Sequence, residues 1–95
     1  MQYPSWIKIY QNLDIKRDSN PVWTVKSQLE LLKKKAGINR GARIAITAGS
    51  RYIANLPLIT KAVVDFVISE GAHPFLVPAM GSHGGATEKG QIKVL

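Results

Sequence analysis

Two short glycine-containing segments carry the side chains of this chain that are best suited to chemistry. In the first, Ser50 and Arg51 follow Gly49 at the end of an apolar run, and in the second, residues 81–87, glycines surround His83. A guanidinium pairs well with phosphate or carboxylate, and an imidazole exchanges protons near neutral pH. The residue types therefore predict an anion clamp at Arg51 and acid–base chemistry at His83.

Both segments also allow a purely structural interpretation. Residues 49–51 match neither a phosphate-binding loop nor a GxGxxG motif, so Arg51 is equally compatible with an exposed side chain in a turn. Backbone hydrogen bonds alone could satisfy His83. We interpret His73, at the opposite end of its strand, as structural or solvent-facing. With two histidines in the chain and no carboxylate beside His83, the sequence predicts no complete metal site.

Hydrophobic periodicity predicts the elements that position these segments. Apolar residues at 44–47 predict a strand buried on both faces of a parallel sheet. Residues 56–67 repeat apolar side chains at helical spacing, with Asn55 as the N-cap and Gly71 beyond the end, and residues 74–78 predict the next strand. The order strand, helix, strand predicts a parallel βαβ unit, whose strand ends meet at one edge of the sheet.

Three further elements are predicted around this unit. Residues 6–10 alternate in polarity and predict an N-terminal edge strand. Residues 24–36 predict a helix with one apolar stripe, capped by Thr24 and stopped by Gly37. Thr87 is expected to cap a last helix. The predicted fold class is therefore α/β, with a Rossmann-like parallel βαβ core, helices packed on the sheet and an N-terminal edge strand.

Composition limits the class of protein. The chain has 95 residues, 45% hydrophobic and 20% charged, as in an ordinary globular domain. It has no cysteine, which excludes disulfides and cysteine nucleophiles and fits the cytoplasm. No apolar run reaches the ~20 residues of a membrane span, so no membrane partner is predicted. We expect residues 1–95 to form a single α/β domain, the N-terminal part of a longer two-domain protein, because an apolar stripe is unfinished at Leu95.

The net charge of +7 is concentrated in the first half of the chain. Residues 1–43 hold nine Lys and Arg residues against three Asp and Glu residues. The run Lys33 to Lys35 falls in the last turn of a predicted helix, where cations interact well with the helix dipole. Nucleic-acid binding therefore ranks last among the functions considered.

Three segments of the second half resemble a known family. They are IAITAGSRYIAN at residues 44–55, AVVDF at residues 62–66 and GAHPFLVPAMGSHGGAT at residues 71–87. Together they resemble the N-terminal domain of the nickel-dependent lactate racemase superfamily, and most closely the branch of it marked by the AMGSHGGAT signature. The similarity covers the second half of the chain well and the first half loosely.

The resemblance implies a 2-hydroxyacid racemase or epimerase that uses a nickel pincer nucleotide. The substrate carbon gives a hydride to the cofactor while a histidine removes the hydroxyl proton. That histidine corresponds to His83, and the cofactor contacts correspond to Gly49, Ser50 and Arg51. The second catalytic histidine, the cofactor-bearing lysine and the nickel-binding histidine would lie beyond residue 95, in a C-terminal domain. These 95 residues alone are expected to be inactive.

Two positions depart from the family pattern, so the resemblance does not specify lactate as the substrate. Ala48 replaces an acidic residue and Gly84 replaces an arginine, which changes the hydrogen bonds that the site can make. The alternative function is a non-catalytic nucleotide- or phosphate-binding α/β module that uses residues 49–51 and residues 81–87 at the start of the last helix. The sequence is also compatible with an oligomer.

Overall fold

A computed structural model describes residues 2–50 and 53–95 of the chain. Over these residues the fold is mixed α/β, with three α-helices and a two-stranded parallel sheet. The elements are α1 (Pro21–Ala36), β1 (Arg43–Ala48), α2 (Leu56–Ser69), β2 (His73–Pro78), a 3₁₀ turn (His83–Ala86) and α3 (Glu88–Val94). In the described part of the chain, no helix is both long and apolar enough to cross a membrane.

The two strands end together, as the sequence predicts. β1 and β2 pair in parallel, with Arg43 opposite His73 at one end and Ala48 opposite Pro78 at the other. The ladder continues for one more bond, from the Ala79 N–H to the Ala48 carbonyl at 2.8 Å. The segments that follow the strands therefore leave from the same edge of the sheet. Because the described sheet has two strands, it does not by itself form a full Rossmann-like core.

The core lies between the helices and one face of the sheet. Phe66 and Val67 of α2 pack with Ala72 as its buried centre. Partly buried apolar side chains from α1, β1 and the segment between them surround this centre: Leu29, Ile38, Ala42, Ile44 and Ile46. The apolar stripe of α2 is thus the element that joins α1 to the sheet, as its periodicity predicts.

Burial of β1 on both faces was a wrong prediction. Arg43, Ala45 and Thr47 are exposed, whereas the alternate residues Ile44 and Ile46 are partly buried. In the described residues the helices pack against one face of the sheet, so only alternate side chains of the strand are covered. An apolar run shows that a strand can be buried, but it does not show whether helices pack on one face of the sheet or on both.

The N-terminal edge strand was also a wrong prediction. Residues 2–18 contain neither helix nor strand, Trp6 is fully exposed, and Ile7 and Ile9 are more than four-fifths exposed. Alternating polarity produces a strand only where a neighbouring strand accepts its hydrogen bonds and a core covers one face. In the structure, this segment packs on neither strand.

The first helix begins three residues earlier than predicted, and its cap is different. Asn20 is the N-cap, because its side chain accepts a hydrogen bond from the Trp23 N–H at 3.2 Å. Pro21 follows in the first turn, where its missing N–H costs no helical bond. The hydroxyl of Thr24, the predicted cap, instead lowers the pKa of the nearby Asp18 carboxylate. Gly37 ends the helix in the left-handed conformation, as predicted.

Candidate functional site

Ser50 and His83 meet at the edge of the sheet where both strands end. The Ser50 Oγ is hydrogen-bonded to the His83 Nδ1, and both residues are partly buried. They are 33 residues apart in the sequence, and they are brought together because each follows the carboxyl end of one of two paired parallel strands. Two of the site residues predicted from the sequence therefore form one contact.

The backbone of the second glycine segment turns sharply to place His83. The His83 N–H donates to the carbonyl of the buried Met80 at 3.3 Å. Gly84 and Gly85 then adopt φ values of 65° and 68°, in the left-handed region that side chains disfavour. The glycines after the histidine are thus required for the course of the chain, in addition to leaving the imidazole accessible.

Helix α3 and its N-cap form hydrogen bonds with the turn that carries His83. Thr87, the predicted cap, accepts a hydrogen bond from the Gly90 N–H at 3.1 Å and donates to the Gly84 carbonyl at 3.2 Å. The Gln91 Nε2 donates to the Gly81 carbonyl at 2.7 Å. Gln91 of α3 and Thr87, its N-cap, therefore hold the glycine segment before and after His83.

Gly90 is a site-positioning residue that the sequence analysis missed. A Cβ atom on Gly90 would collide with the Gly84 carbonyl, and one on Gly84 would lie 2.5 Å from the Gly90 carbonyl carbon. The signal was present in the sequence, because a glycine inside a helix costs about 1 kcal/mol relative to alanine and indicates a close approach. Gln91 gave no comparable signal.

A cleft of about 540 Å³ opens beside the end of β1. Gly49 and Ser50 are part of the lining, together with residues of both strands, the segment before α2, α2 itself and the end of α3. The lining is mainly apolar, with Thr60 and Lys61 among its polar side chains. His83 does not line this cleft, so Ser50 is the residue that borders both the cleft and the imidazole.

The other residues considered for the site are Arg51, His73 and the metal-ligating side chains. Arg51 lies outside the described residues, so its role as an anion clamp stays a prediction. His73 is exposed at the first position of β2, at the other end of the strand from the site, as expected. The described residues contain no group of three or more His, Asp or Glu side chains placed to hold a metal ion.

Comparison of the chain with family models, with curated proteins and with solved structures found no match.

Proposed function

We propose that this chain forms one wall of the active site of a 2-hydroxyacid racemase or epimerase of the nickel-dependent lactate racemase superfamily. The observation that supports it most is the contact between Ser50 and His83 at the edge where both strands end. Open α/β sheets bind ligands at this edge. Under the proposal, the βαβ unit is part of a larger Rossmann-like sheet in a cytoplasmic protein, and a C-terminal domain closes the site.

In this proposal, His83 exchanges a proton with the hydroxyl of a small 2-hydroxyacid. Imidazole suits this step because it gains and loses a proton near neutral pH. Arg51 holds an anionic group of the cofactor or substrate through its planar guanidinium. Gly49 and Ser50 offer backbone and hydroxyl groups to the same ligand from the cleft wall.

The described residues fit only part of the proposed nickel pincer nucleotide. They present no cluster of metal-ligating side chains, so they do not hold the nickel. Gly49 and Ser50 do fit contacts with a nucleotide, because they line an open cleft at the end of a parallel strand. When bound, the cofactor would accept a hydride from the substrate carbon and return it.

The test is the exchange of the two enantiomers of a 2-hydroxyacid, measured over a panel of such acids in the full-length, cofactor-loaded protein. His83→Ala is expected to reduce turnover by roughly 10²–10⁴-fold, the usual contribution of a general acid–base residue. His73→Ala is the matched control, because His73 is exposed and lies at the other end of β2. Equal turnover in the two variants would contradict the proposal.

A second candidate is a non-catalytic module that binds a nucleotide or another phosphorylated ligand. It is favoured by one observation: the cleft is lined by Ser50 and Lys61 but not by His83. Titrating AMP into the 95-residue chain and measuring the amide NMR shifts distinguishes this binding module from the racemase. If the chain is a binding module, AMP shifts the amide signal of Gly49. Lys61→Met should abolish this shift, whereas His83→Ala and the exposed control Lys93→Met should leave it unchanged.

A further inference from the structure

We propose that Ser50 is a positioning residue that keeps the ring proton of neutral His83 on Nδ1 and leaves Nε2 free as the reacting base. This inference rests on the proposed function, because it assigns an atom to the proton transfer described above. It gives Ser50 a role through the imidazole, separate from its expected contact with a cofactor.

One of the two ring nitrogens of His83 already has a hydrogen-bond partner. The His83 Nδ1 is hydrogen-bonded to the Ser50 Oγ. Nε2 is therefore the ring nitrogen that remains for a ligand. A base accepts a proton only through a free lone pair, so Nε2 must be unprotonated before the substrate hydroxyl gives up its hydrogen.

The ring proton of neutral His83 then lies on Nδ1. A neutral imidazole carries one ring proton, and if Nε2 is free, that proton is on Nδ1. Nδ1–H then donates to the Ser50 Oγ, which accepts through a lone pair. The hydroxyl hydrogen of Ser50 stays available for a ligand in the cleft that Ser50 lines. In water, an exposed imidazole prefers to carry the proton on Nε2. The Ser50 hydroxyl must therefore reverse the preferred position of the ring proton.

Separate elements of the fold hold Ser50 and His83 in place. Ser50 follows the end of β1, where the Ala48 carbonyl accepts the last ladder bond and Ala48 is buried. His83 is held by the Met80 carbonyl and by the packing of its turn on α3. Because both partners are held before a ligand arrives, the hydrogen bond orients the ring in the free protein.

The test reads the ring proton directly, by long-range ¹H–¹⁵N NMR of the imidazoles in the 95-residue chain at pH 9, where histidines are ordinarily neutral. His73 serves as the exposed reference ring, and His73→Gln assigns the two sets of signals. The expected result is Nδ1–H for His83 and mainly Nε2–H for His73. A His83 ring with mainly Nε2–H in the unmodified chain overturns the inference.

Two variants of Ser50 make the test specific. Ser50→Ala removes the acceptor and is expected to lower the Nδ1–H to Nε2–H ratio of His83 about fivefold, the effect of losing one ordinary hydrogen bond. Ser50→Thr keeps the hydroxyl and is expected to retain the Nδ1–H form. The amide spectra of both variants report whether the fold is kept. An unchanged ratio in a folded Ser50→Ala variant contradicts the inference.

Failure of this inference is distinguishable from failure of the proposed function. The ring proton is measured without substrate or cofactor, so an Nε2–H ring rejects the role of Ser50 even if His83→Ala abolishes turnover. An Nδ1–H ring that depends on Ser50 supports the assignment of the ring proton, and full turnover of His83→Ala would then reject only the acid–base role of His83.

Discussion

Gly84 and Gly90 lie backbone against backbone, and this contact joins the turn that carries His83 to helix α3. The approach is close enough that a side chain on either residue would collide with the backbone of the other. Because Gly84 directly follows His83, the position of the imidazole depends on a helix that contributes no predicted catalytic group.

Gly90→Ala is expected to destabilise the site although alanine favours the helix. The helical preference contributes about 1 kcal/mol, whereas forcing an extra carbon into a packed contact costs about 1–3 kcal/mol. The Cβ atom would collide with the Gly84 carbonyl, which is part of the backbone and moves only with the turn. We therefore expect a lower free energy of unfolding and a shifted His83 ring signal, measured by thermal unfolding and NMR. Lys89→Ala, exposed on the same helix, is the control, and a more stable Gly90→Ala variant would disprove the contact.

Phe66→Ala is expected to remove most of the stability of the chain. Phe66 is 8% exposed and belongs to the buried centre shared by the helices and the sheet. Emptying such a site usually costs about 3–5 kcal/mol, a large part of the total stability of a small domain. Urea unfolding measures the loss, and Phe66→Leu should lose less. Ile68→Ala, 56% exposed on the same helix, is the control, and an equal loss there would contradict the described core.

Lys33 and Glu70 are expected to form a weak, salt-sensitive link between α1 and the end of α2. The Lys33 Nζ lies 3.2 Å from the Glu70 carboxylate, and the side chains are 50% and 15% exposed. A double-mutant cycle with Lys33→Met and Glu70→Gln should give a coupling below about 1 kcal/mol, and high salt should reduce it. The more exposed pair Lys61 and Asp65 is the comparison, with an expected coupling of about 0.3–0.5 kcal/mol. A coupling that high salt leaves unchanged would contradict the described exposure.

The N-terminal end of α1 is expected to weaken in acid. A hydrogen bond from the Thr24 hydroxyl, and then one from the Asn20 N–H, lower the pKa of Asp18 below its ordinary value of 3.8. A lowered pKa means that folding favours the ionised form. The stabilisation is therefore present above pH 3.8 and is lost as the pH falls through the lowered pKa.

Carboxyl ¹³C NMR titration measures this effect at Asp18. Thr24→Val removes the hydroxyl donor and should raise the pKa of Asp18 towards 3.8, whereas Thr24→Ser keeps the donor and should preserve the lowered value. Equal titration curves of Asp18 in the Thr24→Val and Thr24→Ser variants would show that the hydroxyl does not lower the pKa of Asp18.

Local patterns predicted the elements whose signals are complete within a short stretch of sequence. The apolar spacing of residues 56–67, followed by Gly71, predicted α2 closely, because helical hydrogen bonds form within the segment itself. Thr87 was correctly predicted to cap α3 for the same reason. The cap of α1 was misplaced because Asn20, Pro21 and Thr24 all offer start signals within one turn, and the structure uses Asn20.

The sequence by itself determined the order strand, helix, strand and placed Ser50 and His83 after successive strands. Only the tertiary structure decided that these two side chains are in contact and that Gly90 packs on Gly84. It also decided that one face of β1 is exposed and that residues 6–10 form no strand. The reason is physical: a helix satisfies its own backbone, whereas strands, glycine contacts and shared sites depend on partners far away in the chain.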